Sequence, residues 1–435
     1  MSLVESALSY ENANTEPIPL RDWRVGRISP FPESIPHGWR IVRLTDYAFL
    51  ESGHTPSRKI RAYWNGYVPW VSLHDSAKLD EPTIERTTHT ITELGLANSS
   101  ARLLPAGTVV FSRTATVGKA TVLGRPMATS QDFACYVCGS EVHNHFLRHL
   151  FLFMQPEWIR LMAGSTHNTI YMPVFRELQI LLPPEPEQKS IAEALGDVDQ
   201  EIAALDRLIA KKRDIKQATM QKLLTGETRL SGFSGQWDYV NLGDLFSFKN
   251  GLNKRKEFFG HGTPIVNYLD VFANPAIRCS SLEGRVSVTQ HELGSFDVVK
   301  GDVFFTRTSE IIEEIGMPAV VIDEPNQTVF SGFLLRARPK NRRLQDSFKA
   351  YCFRSNFVRR QIISKASYTT RALTNGKALS TVELPVPSNA EQVAIATVLF
   401  DMAAEIAALE AKRDKARLLK QGMMQELLTG QTRLT

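Results

Sequence analysis

The stretch that decides the fold occurs twice in the sequence. It reads EQKSIAEALGDVDQEIAALDRLIAKKRDIKQATMQKLLTGETRL at residues 187–230 and EQVAIATVLFDMAAEIAALEAKRDKARLLKQGMMQELLTGQTRL at residues 391–434. The two copies align without a gap, and 24 of their 44 positions are identical. Shared strings such as EIAAL and LLTG are too long to arise by chance, so the chain contains a tandem duplication.

Each copy predicts a long helix with a narrow apolar stripe. Apolar residues recur at steps of four and three, which places them on one face of a helix that packs against another. The stripe residues are Ile191, Leu195, Val198, Ile202, Leu205 and Ile209 in the first copy and Ile395, Leu399, Met402, Ile406 and Leu409 in the second. Prolines at 183–186 and 385–387 keep each helix from starting earlier, and Gly226 and Gly430 suit the left-handed conformation that ends one.

A stripe on so long a helix needs a partner. At roughly 1.5 Å per residue each helix is about 55 Å long, and the nearest candidate partner is the other copy. We therefore expect the stripe residues to form a helix–helix interface. Beyond the stripe, basic residues weaken the spacing, and Ile215, Leu418 and Leu419 shift the apolar face sideways. An alternative, in which each helix packs only on its own globular domain, stays open.

Composition limits the class of protein and its compartment. The chain has 435 residues, of which 43% are hydrophobic and 22% charged, as in globular proteins with two cores. It has no run of 18 apolar residues and no secretory signal, so we expect a cytoplasmic protein without a membrane span. Four cysteines without framework spacing fit a reducing compartment. A net charge of +5 is compatible with a polyanionic partner but does not identify one.

The duplication extends beyond the helices to two diverged globular segments. GTVVFSRT at 107–114 matches GDVFFTRT at 301–308, and HGWRIVRL at 37–44 matches GQWDYVNL at 235–242. The helices are nearly constant between the two copies, whereas the globular segments have diverged. This contrast favours two domains that recognise different targets, and divergence by drift is the alternative. The predicted segments are an N-terminal arm at 1–37, globular domains at 38–184 and 233–387, and helices at 185–232 and 388–435.

Both globular segments predict an α+β fold. They read as short strands separated by Gly, Pro and Asn turns, which predicts a twisted, mostly antiparallel or mixed sheet. Helices are expected at 145–164 and 347–364, in matching places of the two segments. The predicted fold class is therefore α+β, with two mixed-sheet domains that are each followed by a long helix.

Motifs for catalysis and for metal binding are missing. The sequence has no phosphate loop, dinucleotide fingerprint, zinc-protease helix, nucleophile elbow or Asn-Pro-Pro-Tyr type motif, so no catalytic residue is predicted. A catalytic motif of unfamiliar form stays an alternative. Cys135, Cys138, His143 and His145 have the number of ligands for zinc, but their spacing is too short for a finger. Buried thiols in a sheet are the favoured interpretation, and no metal site is predicted.

Basic residues among aromatic and hydroxyl side chains indicate a nucleic-acid interface. Arg and Lys contact phosphates, and Arg, Lys, Asn and Gln also pair with base edges. Such loops occur at 54–70 and 248–260, after the shared strands at Arg113 and Arg307, and at 164–171 and 367–379. The candidate DNA-binding residues are Thr55, Arg58, Lys59, Arg61, Arg113, Lys119, His167, Asn168, Lys249, Asn250, Lys254, Arg255, Arg307, Thr370, Arg371 and Lys377. For any one of them a solvated surface charge is the alternative.

From residue 37 to its end the sequence resembles the DNA specificity (S) subunit of type I restriction-modification systems. The resemblance is carried by GHTPSRKIRAYWNGYVPWVSLHD at 53–75, LPAGTVVFSRTATVGKATVL at 104–123, LPPEPEQKSIAEAL at 182–195 and QKLLTGETRL at 221–230. The second globular segment departs from it, because GLNKRKEFFGHGTPIVNYLDV at 251–271 stands where the T-P-S opening is expected.

The resemblance implies two target recognition domains that each read one half of a bipartite site in double-stranded DNA. It implies that the helices form an antiparallel coiled coil, a spacer that docks two modification (methyltransferase) subunits, and that restriction (motor-nuclease) subunits join them. It implies no cofactor in this chain, with S-adenosylmethionine, ATP and Mg on the partner subunits. Half-sites one helical turn apart lie roughly 34–36 Å from each other, well within the length of the helices. The rivals are a two-armed protein-binding adaptor without a DNA role and a stand-alone methyltransferase or nuclease.

Overall fold

The chain divides into two compact units that each combine one globular domain with part of both long helices. The first unit runs up to Asp206 and resumes at Lys412, and the second comprises Arg207–Ala411. The computed structural model describes residues 15–17, 34–162, 168–368 and 370–434. Most of the predicted N-terminal arm at 1–37 lies outside the described residues. The predicted segment boundaries stay predictions.

In the first unit, short strands form a five-stranded mixed sheet and smaller sheets beside it. The strands are β1 Thr15–Pro17, β2 Ser34–Pro36, β3 Arg40–Arg43, β4 Ala48–Ser52, β5 Trp64–Val71, β6 Thr83–Ile84, β7 His89–Ile91, β8 Val109–Ser112, β9 Ala120–Leu123, β10 Ala128–Thr129, β11 Phe133–Cys138 and β12 Gln179–Leu182. The helices are α1 Glu93–Ala97, α2 Asn144–Phe153, α3 Gln155–Met162, α4 Met172–Arg176 and the start of α5 Glu185–Thr225. The main sheet has the order β4-β11-β8-β9-β6, beside the sheet β10-β5-β7 and the pairs β12-β3 and β1-β2.

In the second unit, the same architecture is built from different residues. The strands are β13 Asp238–Asn241, β14 Phe246–Asn250, β15 Phe259–Val266, β16 Ala276–Ile277, β17 Arg285–Val286, β18 Val303–Thr306, β19 Thr308–Ser309, β20 Pro318–Val321, β21 Val329–Phe330, β22 Leu334–Pro339, β23 Ser367–Tyr368, β24 Ala372–Leu373 and β25 Glu383–Val386. The helices are α6 Leu242–Leu245, α7 Tyr268–Ala273, α8 Gln290–Ser295, α9 Asp346–Cys352, α10 Asn356–Ser364, α11 Gly376–Ser380 and α12 Asn389–Leu428.

The strand topology repeats between the units. The order β14-β22-β18-β20-β16 matches the five-stranded sheet of the first unit, β17-β15-β21 matches its three-stranded sheet, and β13-β25 matches β12-β3. Strand directions repeat as well, because β6 is parallel to β9 as β16 is to β20. The predicted α+β class with two mixed-sheet domains, each followed by a long helix, is confirmed.

The middle strands of each main sheet are apolar and fully buried. All four residues of β8 and all four of β18 are buried, the pattern of strands that are covered on both faces. In the first unit the Phe111 ring packs against Phe151, Trp158 and Phe175 at centroid distances of 5.4, 4.7 and 5.3 Å. This rigid core fixes the end of β8, where Arg113 begins the loop that follows.

Helices form in both stretches predicted to be helical, 145–164 and 347–364, but each stretch contains two helices rather than one. The first breaks at Met154, and Pro156 lies in the first turn of α3, where its missing N–H has no intrahelical partner to lose. The second breaks between Cys352 and Asn356, where the Ser355 side chain accepts a hydrogen bond from the Val358 N–H and starts α10.

The long helices begin and end close to the predicted positions. Helix α5 has 41 residues and α12 has 40, so each is about 60 Å long. Gly226 follows α5 with a φ of +74°, and Gly430 follows α12 with a φ of +72°, in the left-handed region predicted for them. Pro186 lies inside the first turn of α5 rather than before it, at a position that tolerates proline.

Ion pairs join the two helices in each unit with antiparallel polarity. In the first unit the pairs are Glu201–Lys412 at 2.9 Å, Asp206–Arg413 at 3.4 Å and Asp199–Lys420 at 2.6 Å. In the second unit they are Lys212–Glu405 at 2.6 Å and Arg213–Glu410. The exposed pairs, such as Glu201–Lys412, contribute at most about 1 kcal/mol each and fix the register more than the stability, whereas the side chains of Asp199 and Lys420 are only 19% and 16% exposed.

The apolar stripe lies inside both cores. Ile191 and Leu195 are buried in the first core with Leu427 and Leu428 from the end of α12. In the second core, Ile395 and Leu399 of α12 are buried with Met220, Leu223 and Leu224 of α5. Each helix start therefore packs on its own globular domain and on the end of the other helix, which excludes packing on the globular domain alone.

The remaining stripe residues are buried or half-buried. Leu205, Ile209 and Ile406 are buried, whereas Val198, Ile202, Met402 and Leu409 are half-buried. Ile215, Leu418 and Leu419, which shift the apolar face sideways, are 43%, 70% and 49% exposed. The sideways face therefore lies outside the buried stripe.

A buried glutamate at the start of each helix binds an arginine that follows the other helix. In the first unit Glu187 accepts hydrogen bonds from Arg433 Nε at 2.6 Å and Nη2 at 2.7 Å, and from Trp39 Nε1 at 2.9 Å. In the second unit Glu391 accepts from Arg229 Nε at 2.5 Å and Nη2 at 2.7 Å, and from Trp237 Nε1 at 3.0 Å. We call each Trp–Glu–Arg set a clasp.

A buried glutamine beside each clasp ties the helix to its globular domain. Gln188 Nε2 donates to the carbonyls of Glu141 and Pro183 at 2.9 and 2.8 Å, and its Oε1 accepts from the His143 N–H. Gln392 makes the same bonds with Arg343, Pro387 and Gln345. The proline-then-glutamine entry in the sequence is thus a hydrogen-bonded joint, repeated in both units.

Helix α12 is long and apolar enough to cross a membrane, judged by length and composition alone. The core helix of a soluble protein passes the same test. In this chain the start of α12 lies in the second core through Ile395 and Leu399, and its later turns form ion pairs with α5.

Replacing Glu187 by Ala removes the acceptor of one clasp and leaves the Arg433 guanidinium largely buried and unpaired. We expect a loss of stability approaching the roughly 3–5 kcal/mol that breaking a buried ion pair costs. Urea unfolding followed by tryptophan fluorescence measures it. The matched control is Glu193→Ala, an exposed glutamate of the same helix, for which about 0.5 kcal/mol or less is expected. Equal effects of the two substitutions would contradict a stabilising clasp.

Candidate nucleic-acid interface

The loop between β4 and β5 holds the Arg58 side chain over two tryptophan rings. The Arg58 guanidinium lies 4.3 Å from the centroid of the Trp64 ring and 5.6 Å from that of Trp70. Both indole N–H groups donate to loop carbonyls, Trp64 to Ser57 at 3.2 Å and Trp70 to His54 at 3.1 Å. The loop is therefore held in place while Arg58 stays exposed. Cations over indole rings are favourably placed, and the charge still reaches solvent.

Two further candidates of this loop extend from it without partners. Lys59 and Arg61 are exposed, and their side chains form no hydrogen bond or ion pair with residues that the structure describes. The segment predicted as a loop at 54–70 is a loop only in its first half. From Trp64 it is β5, because this run pairs with β7 on one side and β10 on the other.

Thr55 and Arg113 meet at Gln131. The Thr55 hydroxyl lies 2.7 Å from Gln131 Oε1, and Arg113 Nη2 donates to the Gln131 carbonyl at 2.6 Å. Arg113 Nη1 donates to the Ile170 carbonyl at 3.3 Å. The loops that follow β4, β8 and β10 and the segment from residue 168 are thus brought together at one edge of the first domain.

Glycine is required where this edge begins. A Cβ on Gly53, directly after β4, would lie 1.9 Å from the Thr129 carbonyl oxygen. Gly251 directly follows β14 in the second unit, and its Cβ would lie 2.1 Å from the Ser331 carbonyl oxygen. In both units the chain passes so close to another backbone that only glycine fits.

Arg113 holds loops together more than it faces solvent. It is half-buried, both terminal nitrogens donate to carbonyls, and its Nε is buried without a partner. Burial lowers the pKa of the guanidinium, and the nearby Asp132 carboxylate opposes that shift. Its direct contact with DNA stays a prediction, and the structure gives it a positioning role.

The other candidates of the first unit differ in their contacts. Lys119 Nζ is bound to Asp80 Oδ2 at 2.6 Å and to the Ser76 carbonyl at 3.0 Å. Asn168 is exposed and has a φ of +45°, a left-handed conformation that asparagine tolerates. His167 lies outside the described residues.

Arg307 occupies the place of Arg113 in the second unit. Its N–H donates to the Phe333 carbonyl and its carbonyl accepts from the Thr374 N–H, as Arg113 pairs with Asp132 and Ile170. The Arg307 side chain differs, because it forms no hydrogen bond or ion pair with any described residue. It is therefore available to a ligand, whereas Arg113 is committed to the fold.

Two lysines of the loop at 248–260 are held by the protein. Lys249 Nζ donates to the Ser295 carbonyl at 2.5 Å. Lys254 Nζ bonds the Ser287 carbonyl at 2.9 Å and Glu292 Oε2 at 2.8 Å. The Lys254 ammonium lowers the pKa of the Glu292 carboxyl to about 2. Through these bonds the two lysines stabilise the conformation of the loop.

The remaining two candidates of the loop at 248–260 are exposed. Asn250 ends β14, and Arg255 lies in the turn that follows it. Their side chains are without hydrogen bonds or ion pairs within the described part of the chain. They are therefore free to contact a ligand.

The segment at 367–379 was predicted as a loop, and most of it has regular structure. Its strand β24 pairs with β23 on one side and with β19 on the other, and α11 closes the segment with the Asn375 side chain as its cap. Arg371 is exposed and lies 3.2 Å from Glu310. Thr370 and Lys377 are exposed.

Gln131 is a contact residue that the sequence interpretation missed. It joins Thr55 to Arg113, and it belongs to the polar run Thr129–Asp132 that directly precedes β11. The second unit has Ser331–Phe333 in the same place before β22. The polar run that directly precedes β11 was the available signal, since its counterpart Ser331–Phe333 contains a single polar side chain.

The cysteines lie in the apolar interior. Cys135 is buried in β11, and burial raises the pKa of its thiol to about 12, as it does for Cys138. Within the described residues, no group of three or more His, Cys, Asp or Glu side chains could hold a metal ion. Packing of the thiols in the sheet agrees with the interpretation favoured from the sequence.

Two repeated mixed-sheet domains, each with a basic edge formed by several loops and joined to paired helices, define a subunit that recognises DNA. The chain belongs to the family of the type I restriction modification DNA specificity domain, whose profile matches residues 36–211 and again 234–418. The two matches follow the internal duplication. The protein is the DNA specificity subunit of a type I restriction-modification system, the subunit of that system without catalytic activity.

Relatives resemble the chain over most of its length. It is 21% identical to the type I restriction enzyme MjaVIII specificity subunit of Methanocaldococcus jannaschii, over 92% of this chain and 94% of the relative. It is 23% identical to the MjaIX specificity subunit of the same organism, over 64% and 68%. A chain from a structure on complex assembly and conformational transition of the type I R-M system is 19% identical with a TM-score of 0.61, over 92% of this chain and all of that one.

We expect the buried cysteines to resist alkylation in the folded protein. With a thiol pKa near 12, Cys135 carries almost no thiolate at pH 8, and thiolate is the reactive form. Iodoacetamide labelling followed by peptide mass spectrometry should find Cys135 modified far more slowly than in urea. The unfolded chain is the control, and rapid labelling of native Cys135 would show that this strand is open to solvent.

Proposed function

We propose that each globular domain reads one half of a two-part site in double-stranded DNA. The single observation that carries this proposal is the repeated edge: Gly53 and Gly251, Arg113 and Arg307, and the segments that begin at Ser130 and Ser331 recur with the same backbone bonds. The side chains around that shared frame differ. A constant frame with variable side chains is what two readers of different base sequences require.

Affinity and discrimination come from different side chains in this proposal. Free, exposed cations neutralise phosphates, a term that does not depend on base sequence. Three or four side chains per domain contact base edges. The charged candidates without a partner among the described residues are Lys59, Arg61, Arg255 and Lys377, which are exposed, and Arg307, which is half-buried. Arg58, which lies over two indole rings, is added to them. Arg113, Lys119 and Lys254 act by holding the loops.

The paired helices dock the other subunits in this proposal. Two modification (methyltransferase) subunits bind along them, and restriction (motor-nuclease) subunits join that assembly. The proposal is supported by apolar side chains that the helices expose, among them Leu418 and Leu419 in the first unit and Leu208 and Ile215 in the second. S-adenosylmethionine, ATP and Mg belong to those partners, and the complex acts in the cytoplasm.

Replacing Arg307 by Ala should weaken recognition of one half-site only. A base-reading arginine contributes about 1–3 kcal/mol at its position, so binding weakens and specificity relaxes in that half while the other half is unchanged. Selection of bound duplexes from a random library measures both halves at once. The control is Arg342→Ala, an exposed arginine in the turn that contacts the start of α12.

The salt dependence of binding separates the proposal from the adaptor alternative. A duplex binder loses affinity steeply as salt rises, with a log–log slope set by the number of phosphates neutralised. A flat response would favour the adaptor. Selected sequences that are the same for the Arg307 and Arg342 variants would remove Arg307 from the set of readers.

Charging the exposed helix face should block assembly without unfolding the chain. Leu418→Asp places a charge on a residue that is 70% exposed, so the fold tolerates it, but a buried unpaired charge in an interface costs several kcal/mol. Size-exclusion chromatography with the modification subunit should then show fewer subunits bound per chain. Leu269→Asp, at a residue 71% exposed in the second globular domain, is the matched control and should assemble normally.

A further inference from the structure

One ion pair between the long helices occurs at equivalent positions of the repeat in both units. Arg417 pairs with Asp206 at 3.0 Å in the first unit. The equivalent residues of the repeat, Arg213 and Glu410, pair in the second. These contacts show that the two helix pairs have the same register, so that other positions can be compared one by one.

The next pair in that register is broken in the second unit. In the first unit Lys420 Nζ lies 2.6 Å from Asp199 Oδ1. The lysine is repeated as Lys216, but the position of Asp199 holds Ala403. Lys216 forms no hydrogen bond or ion pair with the described residues, although it is half-buried. The second unit has kept the cation and lost its carboxylate.

The globular domain of the second unit adds another cation beside Lys216. The contacts of Gln188 with His143 and of Gln392 with Gln345 set the register of the helix that follows. In that register Leu152 of the first unit corresponds to Arg354 of the second. Arg354 has one nitrogen bound to the Pro318 carbonyl at 2.8 Å, whereas its Nε is buried without a partner.

These two cations line a cavity of about 420 Å³ within the second unit. Its apolar walls include Met220 and Ile406, and its one carboxylate, Glu410, is paired with Arg213. Burial and the neighbouring Arg354 lower the pKa of the Lys216 ammonium, and burial lowers that of Arg354 to about 10. Burial is the main cause of both pKa shifts, and the Glu410 carboxylate opposes the shift of Lys216 without cancelling it.

We propose that this cavity binds a small oxyanion, whose charged group takes the position that the Asp199 carboxylate occupies in the first unit. Lys216 supplies a point charge and Arg354 supplies N–H donors, the combination that holds phosphate and carboxylate oxygens. The cavity lies within the range of sizes of small-molecule sites, and its apolar wall accommodates a carbon skeleton next to the charge. The ligand is therefore a phosphorylated or carboxylated small molecule.

The test uses the full chain and inorganic phosphate as the probe. Thermal unfolding is recorded against phosphate concentration, with sodium chloride at equal ionic strength as the reference, and ³¹P NMR line width reports binding directly. Acetate and citrate, titrated in the same way, distinguish a carboxylate from a phosphate ligand. We expect a saturable rise in melting temperature with at least one oxyanion. No rise beyond that with chloride for any of them would overturn the proposal.

Substitutions at the cavity locate the site. Ala403→Asp restores the carboxylate of the first unit, so it should raise the melting temperature without ligand and remove the phosphate effect. Arg354→Leu, the residue of the first unit, should weaken phosphate binding by about tenfold or more, since a hydrogen bond to a charged group is lost. Ala403→Asn matches the shape of Asp without its charge and should retain binding. An unchanged phosphate effect in both the Asp and Leu variants, or equal loss with Asn and Asp, would refute the site.

The reciprocal substitution in the first unit tests the same idea independently. Asp199→Ala leaves Lys420 and Arg148 without their shared carboxylate, which lies 3.6 Å from the Arg148 guanidinium. We expect a lower melting temperature that phosphate raises more strongly than it does for the unmodified chain. A destabilised variant that phosphate does not rescue beyond the unmodified chain would show that such paired cations do not recruit an anion.

Discussion

The two clasps are the interaction on which the rest of the structure depends. In each, a buried glutamate at the start of one long helix binds an arginine that follows the end of the other helix and the indole of the adjoining globular domain. A buried carboxylate is costly unless its oxygens are bonded, and here three donors bind it. The clasp therefore sets the polarity of the helix pair, the register of its ion pairs and the attachment of the domain. Gln188 and Gln392, one residue further on, extend the same joint into the sheet.

The repeat and its stripe were sufficient to predict most of the fold. Strict spacing of apolar residues predicted both long helices, and short apolar runs between turn residues predicted the central strands, because these patterns are local. The clasps could not be predicted from such local patterns. Glu187 and Arg433 lie far apart in the sequence, and nothing in their neighbourhoods shows that they meet. The break between α9 and α10 was missed because a single cap at Ser355 outweighs a continuous apolar pattern.

The candidate site was predictable by residue type and not by contact. Lys59 and Arg61 are exposed and Arg307 is half-buried, and none of the three side chains has a partner among the described residues, as a reader of DNA requires. Lys119 and Lys254 have the same chemistry but bind carboxylates and carbonyls of their own domain, which depends on loops that are distant in sequence. Composition identifies which side chains are able to contact a polyanion. Only the folded loops determine which of them are still free to do so.

The close approach at Gly53 and Gly251 has a consequence for how such a protein changes its target. A side chain cannot be accommodated at Gly53 or Gly251, whereas residues further along the same loops, such as Arg58 and Arg255, are exposed. Between the two units of this chain the glycine is kept while the loop residues that follow it differ, so a change of target is expected in those loop residues and not at the glycine.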